Sequence, residues 1–236
     1  MLILALDTAT LVSSVAVTSG EKLLAELTLQ TKLTHSEVLM PHIKQILEMT
    51  KVDKNKIEAI AVSIGPGSFT GLRIGLATVK SIAYVLNIPI IGVSTLAALA
   101  YNYAVEGVYL APMLDAQKGN VYAALYTWEQ GELKEIYEPA VKPFDQVVEF
   151  CQTLDKTVVL QGEVAVKQAE KIKNIGGNIR LAMPHMIMPR AASVAMLGKH
   201  MMEQGILHNV MDLEPFYIRR SEAEELWERR NGIKND

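Results

Sequence analysis

The sequence predicts an α/β protein made of two duplicated lobes, each opening with an antiparallel meander of three strands. Two observations carry this. A short apolar run ending in Asp occurs twice: Leu2–Leu6 leads into Asp7-Thr8-Ala9, and Val108–Leu114 leads into Asp115-Ala116. Each is followed by a second strand-like run and then by a Gly-Glu turn, Gly20-Glu21-Lys22-Leu23 in the first copy and Gly131-Glu132-Leu133-Lys134 in the second. From the Asp to this Gly is 13 residues in one copy and 16 in the other. Three matching elements in the same order indicate an internal repeat, and strands interleaved with helical periodicity indicate packed α/β layers. The lobes are expected at residues 1–104 and 105–236, the second including a final helix.

In the first copy, Leu2–Leu6, Ser13–Thr18 and Leu23–Leu29 read as strands, with Ser19-Gly20-Glu21-Lys22 as a turn. Thr34 stands three residues before Glu37, the capping-box spacing, and so marks a helix start. Leu39, Ile43, Ile46 and Leu47 then recur at i, i+4, i+7 and i+8 on one helical face, and Pro41 inside this pattern is expected to bend the helix. Ile57–Ile64 is nearly free of polar breaks and reads as a buried strand. The loop Gly65-Pro66-Gly67-Ser68-Phe69-Thr70-Gly71 opens a helix from about Thr70 to Leu86. Asn87-Ile88-Pro89 ends it. Ile90–Val93 is a strand and Ser94–Tyr103 a short Ala-rich helix.

In the second copy, Val108–Leu114 and Asn120–Thr127 are strands, and Gly131–Ile136 echoes the third. Helices are expected over Pro143–Leu154, Glu163–Lys173 and Ala191–Gln204, with a strand at Thr157–Leu160 between the first two. Glu222–Arg230 reads as a polar, solvated helix whose Trp227 could touch a partner.

Composition narrows the function. Half of the 236 residues are hydrophobic and 21% are charged, which suits a well-buried core and argues against disorder. A net charge of −3 argues against a protein that mainly grips nucleic acid, which needs clustered Lys and Arg. The lone Cys151 precludes an intrachain disulfide and fits a reducing compartment. No basic segment precedes a long apolar stretch, and no run of about 18 apolar residues occurs, so neither a signal peptide nor a membrane span is expected. A cytoplasmic location follows as an expectation.

The glycine loop admits two readings. A strand, a Gly-rich turn and a helix N-terminus together make an anion cradle. Yet the loop lacks Gly-Lys-Ser/Thr, with Leu72-Arg73 in its place, and its third glycine comes one residue too late for G-x-G-x-x-G. The other reading is a tight strand-to-helix turn with close packing. Asp7 and Asp115, one per lobe, are either Mg²⁺-nucleotide ligands facing a shared cleft or caps of strand-end turns. The candidate anion or nucleotide contacts are therefore Asp7, Thr8, Gly67, Ser68 and Asp115. His35 and His42 lie two turns apart on one helix, too far for one metal, and no His-x-x-x-His pair exists, so neither a metal site nor a catalytic residue is assigned. Apolar residues cover nearly the whole circumference of the helix after the glycine loop, so either the chain's first helix or another protein must bury it.

These residues resemble a known family. Leu4-Ala5-Leu6-Asp7-Thr8-Ala9-Thr10, His35-Ser36-Glu37, the stretch from Gly65 to Gly75, Asp115-Ala116 and Glu214-Pro215-Phe216-Tyr217-Ile218-Arg219 are similar to the TsaB (YeaZ) family, across nearly the whole chain. The resemblance implies the actin/Hsp70/sugar-kinase fold, of ribonuclease H-like type. It implies a role in forming threonylcarbamoyladenosine at position 37 of tRNAs that read codons starting with A. It implies pairing with the paralogue TsaD, joint work with the ATPase TsaE, self-pairing when alone, and contact with tRNA only through the complex. ATP and Mg²⁺ serve the wider complex, and no cofactor is expected on this chain. Where TsaD carries a His-x-x-x-His metal pair, the matching positions here are Thr95 and Leu99, which implies a non-catalytic paralogue. The family's pairing surface falls on the first two helices, and so on Leu39, Ile43, Leu72, Leu76, Ala77, Val79 and Ala83. The alternatives are an ATP-dependent small-molecule kinase of the same fold and a metalloprotease, each weakened by the missing turn glycines or ligand spacing.

Overall fold

The computed structural model describes residues 1–30 and 33–219. The first lobe runs β1 (Leu2–Asp7), β2 (Val12–Ser19), β3 (Lys22–Gln30), α1 (His35–Thr50), β4 (Ala59–Gly65), α2 (Phe69–Leu86) and β5 (Ile90–Ser94). The short α3 (Thr95–Tyr101) leads to the second lobe: β6 (Tyr109–Asp115), β7 (Asn120–Glu129), β8 (Glu132–Pro143), α4 (Phe144–Gln152), β9 (Val158–Gln161), α5 (Glu163–Lys167), α6 (Ala169–Ile175) and β10 (Ile179–Leu181). The last helix is α7 (Ala191–Glu203).

The two sheets share one topology. The first is ordered β3-β2-β1-β4-β5 and the second, from the same end, β8-β7-β6-β9-β10. In each, the first three strands form an antiparallel meander and the fourth joins the first in parallel. The expected duplication is thus realised strand for strand.

Period-two alternation assigns the faces of the first sheet. Leu4, Leu6, Val15, Val17, Ile60 and Val62 point to one face, where α1 supplies Leu39, Ile43 and Ile46 and α2 supplies Leu76, Val79 and Ala83. Ile3, Ala5, Ala16, Ala59, Ala61 and Val93 point to the other, against Ala98 of α3 and Ala191, Val194 and Ala195 of α7. Small residues on both sides let α7 lie close: a Cβ on Gly198 would stand 2.7 Å from the Ala61 Cβ. Helix α3 bridges the lobes, because its Leu96, Leu99 and Ala100 pack on Leu110, Leu114 and Tyr126 of the second sheet. The expected boundary at 104/105 assigned α7 to the second lobe, yet its packing is on the first sheet. After α7 the chain stays there: His208 bridges Ile90, Leu213 joins the α1–α2 core, and the Phe216 N–H donates to the Ile64 carbonyl at 2.7 Å.

Several boundaries differ from expectation. The capping box at Thr34 forms, with the Thr34 N–H on the Glu37 carboxylate at 2.7 Å, and α1 runs on through Pro41, which is exposed. The strand expected from Ile57 starts at Ala59, because Asp53 caps a 3₁₀ turn over Lys54–Lys56 and accepts the Asn55 N–H at 3.0 Å. The helix expected over Glu163–Lys173 is broken at Gln168, where no Gly or Pro signals a stop. The three-residue β10 is too short to show alternation and was not expected. The expected helix Glu222–Arg230 lies outside the described residues.

Cys151 is buried in the second lobe's core beside Phe144, Val148 and Leu160. Burial pushes its thiol up to about 12, and only the thiolate is a competent nucleophile. The native protein should therefore resist thiol–disulfide reagents near pH 8 and react with one equivalent only after denaturation. Fast labelling of the native chain would contradict the burial.

Candidate functional site

The C-terminal ends of β1, β4, β6 and β9 converge on a cavity of about 700 Å³ between the lobes. Strand C-termini are where open α/β sheets place their ligands. The first lobe lines the cavity with Ala9–Leu11, Gly67–Thr70 and Arg73, and the second with Leu114–Gln117, Glu163 and Lys167. Tyr217 and Arg219 line it from the segment that follows α7.

The glycine loop is occupied by the chain itself. The Ser68 N–H donates to the Ala9 carbonyl at 2.7 Å, and the Thr8 hydroxyl donates to the Gly71 carbonyl at 2.8 Å. A Cβ on Gly67 or on Gly71 would collide with the carbonyl oxygen of Ala9 or of Thr8, and one on Gly75 with the Thr8 hydroxyl oxygen. On Gly65 it would stand 2.6 Å from the Phe216 carbonyl oxygen. These four glycines let the backbone after β1 and the segment after Leu213 lie directly on the start of α2. The Ser68 hydroxyl caps that helix through the Gly71 N–H at 3.2 Å. The tight-turn reading of the loop is thus the one that the geometry bears out.

The five candidate anion contacts separate accordingly. Gly67, Ser68 and Asp115 line the cavity. Asp7 and Thr8 do not, because both are fully buried beneath the loop. The Asp7 carboxylate accepts the Ala9 N–H at 3.0 Å and the Ser63 hydroxyl. Loss of hydration raises its pKa above the ordinary carboxylate value, although those two hydrogen bonds oppose the shift. Asp115 is exposed and caps its own turn through the Gln117 N–H at 2.7 Å.

The cavity rim holds a cluster that the sequence reading passed over. Phe69 and Tyr217 stack with centroids 4.4 Å apart, the Arg73 guanidinium lies 3.8 Å from the Phe69 centroid, and the Arg73 Nε–H donates to the Tyr217 hydroxyl at 3.0 Å. Arg219 donates to the Ala116 carbonyl at 2.6 Å and so ties this segment to the second lobe. Phe69 and Arg73 are at i and i+4 on α2, a spacing that could have flagged their contact. Tyr217, far away in sequence, could not have been found that way.

The pairing residues expected on the first two helices need correction. Leu39, Ile43, Leu72, Leu76, Val79 and Ala83 are buried within the chain, and only Ala77 is exposed. Helix α2 is not buried all round. It turns one apolar stripe to the sheet and leaves Arg73, Ala77, Ser81, Tyr84 and Val85 outside. By length and composition it could cross a membrane, but that apolar stripe is packed in the core. His42 is buried near the Ser13 hydroxyl, and His35 donates to the Thr10 carbonyl at 2.7 Å. Among the described residues no group of three or more His, Cys, Asp or Glu is placed to hold a metal.

Two like-built lobes around a cleft define the fold class of actin, Hsp70 and the sugar kinases. An activator component of a 2-hydroxyglutaryl-CoA dehydratase from Acidaminococcus fermentans shares this fold (TM-score 0.52, 12% identity, 85% of this chain and 98% of that one). The YeaZ structure from Pseudomonas aeruginosa is much closer, with a TM-score of 0.77 and 27% identity over 92% of this chain and 99% of its own. The family model for TsaD, tRNA N6-adenosine threonylcarbamoyltransferase, matches residues 22–227. The tRNA threonylcarbamoyladenosine biosynthesis protein TsaB of Bacillus subtilis is 31% identical over 96% of this chain and 98% of that protein. The Escherichia coli TsaB is 30% identical over 94% and 96%. The chain belongs to this TsaD-type family and, within it, to the TsaB (YeaZ) proteins of tRNA threonylcarbamoyladenosine biosynthesis. Thr95 and Leu99, the positions set against the TsaD histidine pair, are both fully buried, and the Leu99 carbonyl accepts from Gln161 Nε2 at 3.1 Å.

Two outcomes test the site. In an ordinary helix Gly→Ala gains about 1 kcal/mol. Gly71→Ala and Gly75→Ala should instead destabilise this protein, by about 2 kcal/mol or more, because each overpacks a closed contact. Adding Thr8→Ala should rescue Gly75→Ala, whose clash is with a side chain, and not Gly71→Ala, whose clash is with backbone; urea unfolding midpoints read the difference. For Asp7, the folded-state pKa lies above the unfolded one, so stability should fall as pH rises from the unfolded value through the folded one and then level off. Asp7→Asn should remove that slope while the chain stays folded at neutral pH, as unfolding curves across acid pH would record.

Proposed function

We propose that this chain is a non-catalytic subunit of the complex forming N6-threonylcarbamoyladenosine at position 37 of tRNAs that read codons starting with A, and that it binds and supports the catalytic paralogue TsaD. The observation that carries this reading is the self-filled glycine loop. Ala9 occupies the edge of the cleft where a phosphate would approach the start of α2, its carbonyl taking the Ser68 N–H, and Thr8 and Asp7 are sealed beneath the loop. A small-molecule kinase needs that approach open to the nucleotide phosphates. A metalloprotease needs a ligand set that Thr95 and Leu99 cannot supply.

The pairing surface in this reading is the outer face of α1 and α2. The helices lie side by side and start from the same end of the sheet, since each returns antiparallel to β4. Their exposed side chains include Met40 and Met49 on α1 and Ala77, Tyr84 (69% exposed) and Val85 (80%) on α2. Large apolar side chains left exposed on two neighbouring helices are material for an interaction face. The chain uses this face for TsaD in the complex and for a second copy when alone. TsaE joins the pair, tRNA meets the assembly rather than this chain directly, and ATP with Mg²⁺ is consumed elsewhere in the complex. The setting is the cytoplasm.

The expected outcome of mixing the chain with TsaD is a heterodimer mass by light scattering. Ala77→Arg should weaken pairing at least about 100-fold, near 3 kcal/mol, by placing an unpaired charge in a desolvated contact, with the fold intact. Val79→Arg is the wrong probe, because Val79 is fully buried in the core and its replacement should unfold the chain. Pairing that survives Ala77→Arg would remove this face from the reading.

A further inference from the structure

We propose that Arg73 is the specificity anchor of this face, presenting its guanidinium to a carboxylate of the TsaD subunit. The inference rests on the pairing reading above and adds the residue that decides which partner fits.

An exposed arginine usually samples many rotamers, and ordering it costs entropy. Arg73 is already ordered. Its guanidinium lies over the Phe69 ring at 3.8 Å, its Nε–H is held by the Tyr217 hydroxyl at 3.0 Å, and Tyr217 is itself stacked on Phe69. These contacts use one donor and leave the two terminal amino groups. Among the described residues no carboxylate pairs with them. A pinned fork with free terminal donors matches the planar, bidentate geometry of a carboxylate.

Its place on the helix says whose carboxylate. Arg73, Ala77, Ser81 and Tyr84 stand at i, i+4, i+8 and i+11, one exposed line along α2. The cation therefore ends the same stripe that carries the exposed alanine and tyrosine. Other cations on these helices are already engaged: Lys80 donates to the Met211 carbonyl at 3.1 Å, and Lys44 pairs with Glu48 at 3.7 Å. Arginine and tyrosine framing a small apolar centre is the composition of an interface hot spot. A phosphate is the weaker candidate, because the neighbouring Ser68 N–H that would help hold it is bonded to Ala9.

The test titrates full-length chain with full-length TsaD at low and high salt, using wild type, Arg73→Lys, Arg73→Glu and Ala77→Arg, with melting curves for each. Arg73→Glu should weaken pairing about 100-fold and flatten its salt dependence. Arg73→Lys should weaken it about tenfold while keeping a salt dependence, since the charge remains and the fork is lost. If Arg73→Glu pairs like wild type while Ala77→Arg does not, the face stands and the anchor is overturned; a lowered melting point alone would then assign Arg73 to holding Tyr217. If Ala77→Arg also pairs like wild type, the pairing reading itself fails. Saturable binding of inorganic pyrophosphate that Arg73→Lys abolishes, with pairing unchanged, would overturn the carboxylate in favour of a phosphate. Loss of self-association alone, with TsaD affinity intact, would overturn TsaD as the occupant.

Discussion

The contact between the Thr8–Ala9 backbone and the first turns of α2 sets the rest of the structure. It brings a carbonyl-lined loop against a helix start with no side chain between them, which only glycines at positions 67, 71 and 75 allow. The geometry is held by the Ser68 N–H on the Ala9 carbonyl and by the Thr8 hydroxyl on the Gly71 carbonyl. The Thr8–Gly71 bond is buried, so breaking it strands a buried polar group, which costs more than the bond nominally contributes. With α2 fixed in this way, its inner stripe meets the sheet, its outer stripe faces solvent, and its Phe69–Arg73 turn forms the cavity rim.

A second constraint is the return of the chain. Helix α7 crosses back to cover the alanine-rich face of the first sheet, and the segment from His208 to Arg219 then runs along β5, over Gly65 and on to Ala116. The lobes are therefore joined by α3, by the approach to α7 and by this last segment. The Phe69–Tyr217–Arg73 cluster forms where that segment passes the start of α2, so the ordering of Arg73 depends on residues 144 apart in sequence.

Much of this was legible beforehand. The meanders, the repeat and the Thr34 cap are local or nearly local patterns, and each was realised. The misreadings share one origin. By residue type helix α2 is apolar on nearly every side because Ala77, Tyr84 and Val85 count with the core aliphatics, yet all three face solvent. Leu76, Val79 and Ala83, expected on the partner surface, are claimed by the chain's own core. The break at Gln168 and the brief β10 carry no local signature at all. Arg73 stood out only as a departure from a phosphate-binding pattern, since its partner Tyr217 is brought near by tertiary folding.

What the sequence by itself determined is the order of the elements up to β9, the repeated meander and the family, because periodicity, turn chemistry and motif spacing are written in neighbouring residues. What only the tertiary structure decided is which surface of each element is spent inside the chain. The glycine loop could cradle an anion or admit a backbone, and the choice went to Thr8 and Ala9 because β1 and β4 are hydrogen-bonded neighbours that bring that loop to the start of α2. The same placement hid Asp7, left Ala77 outside and set Arg73 at the rim.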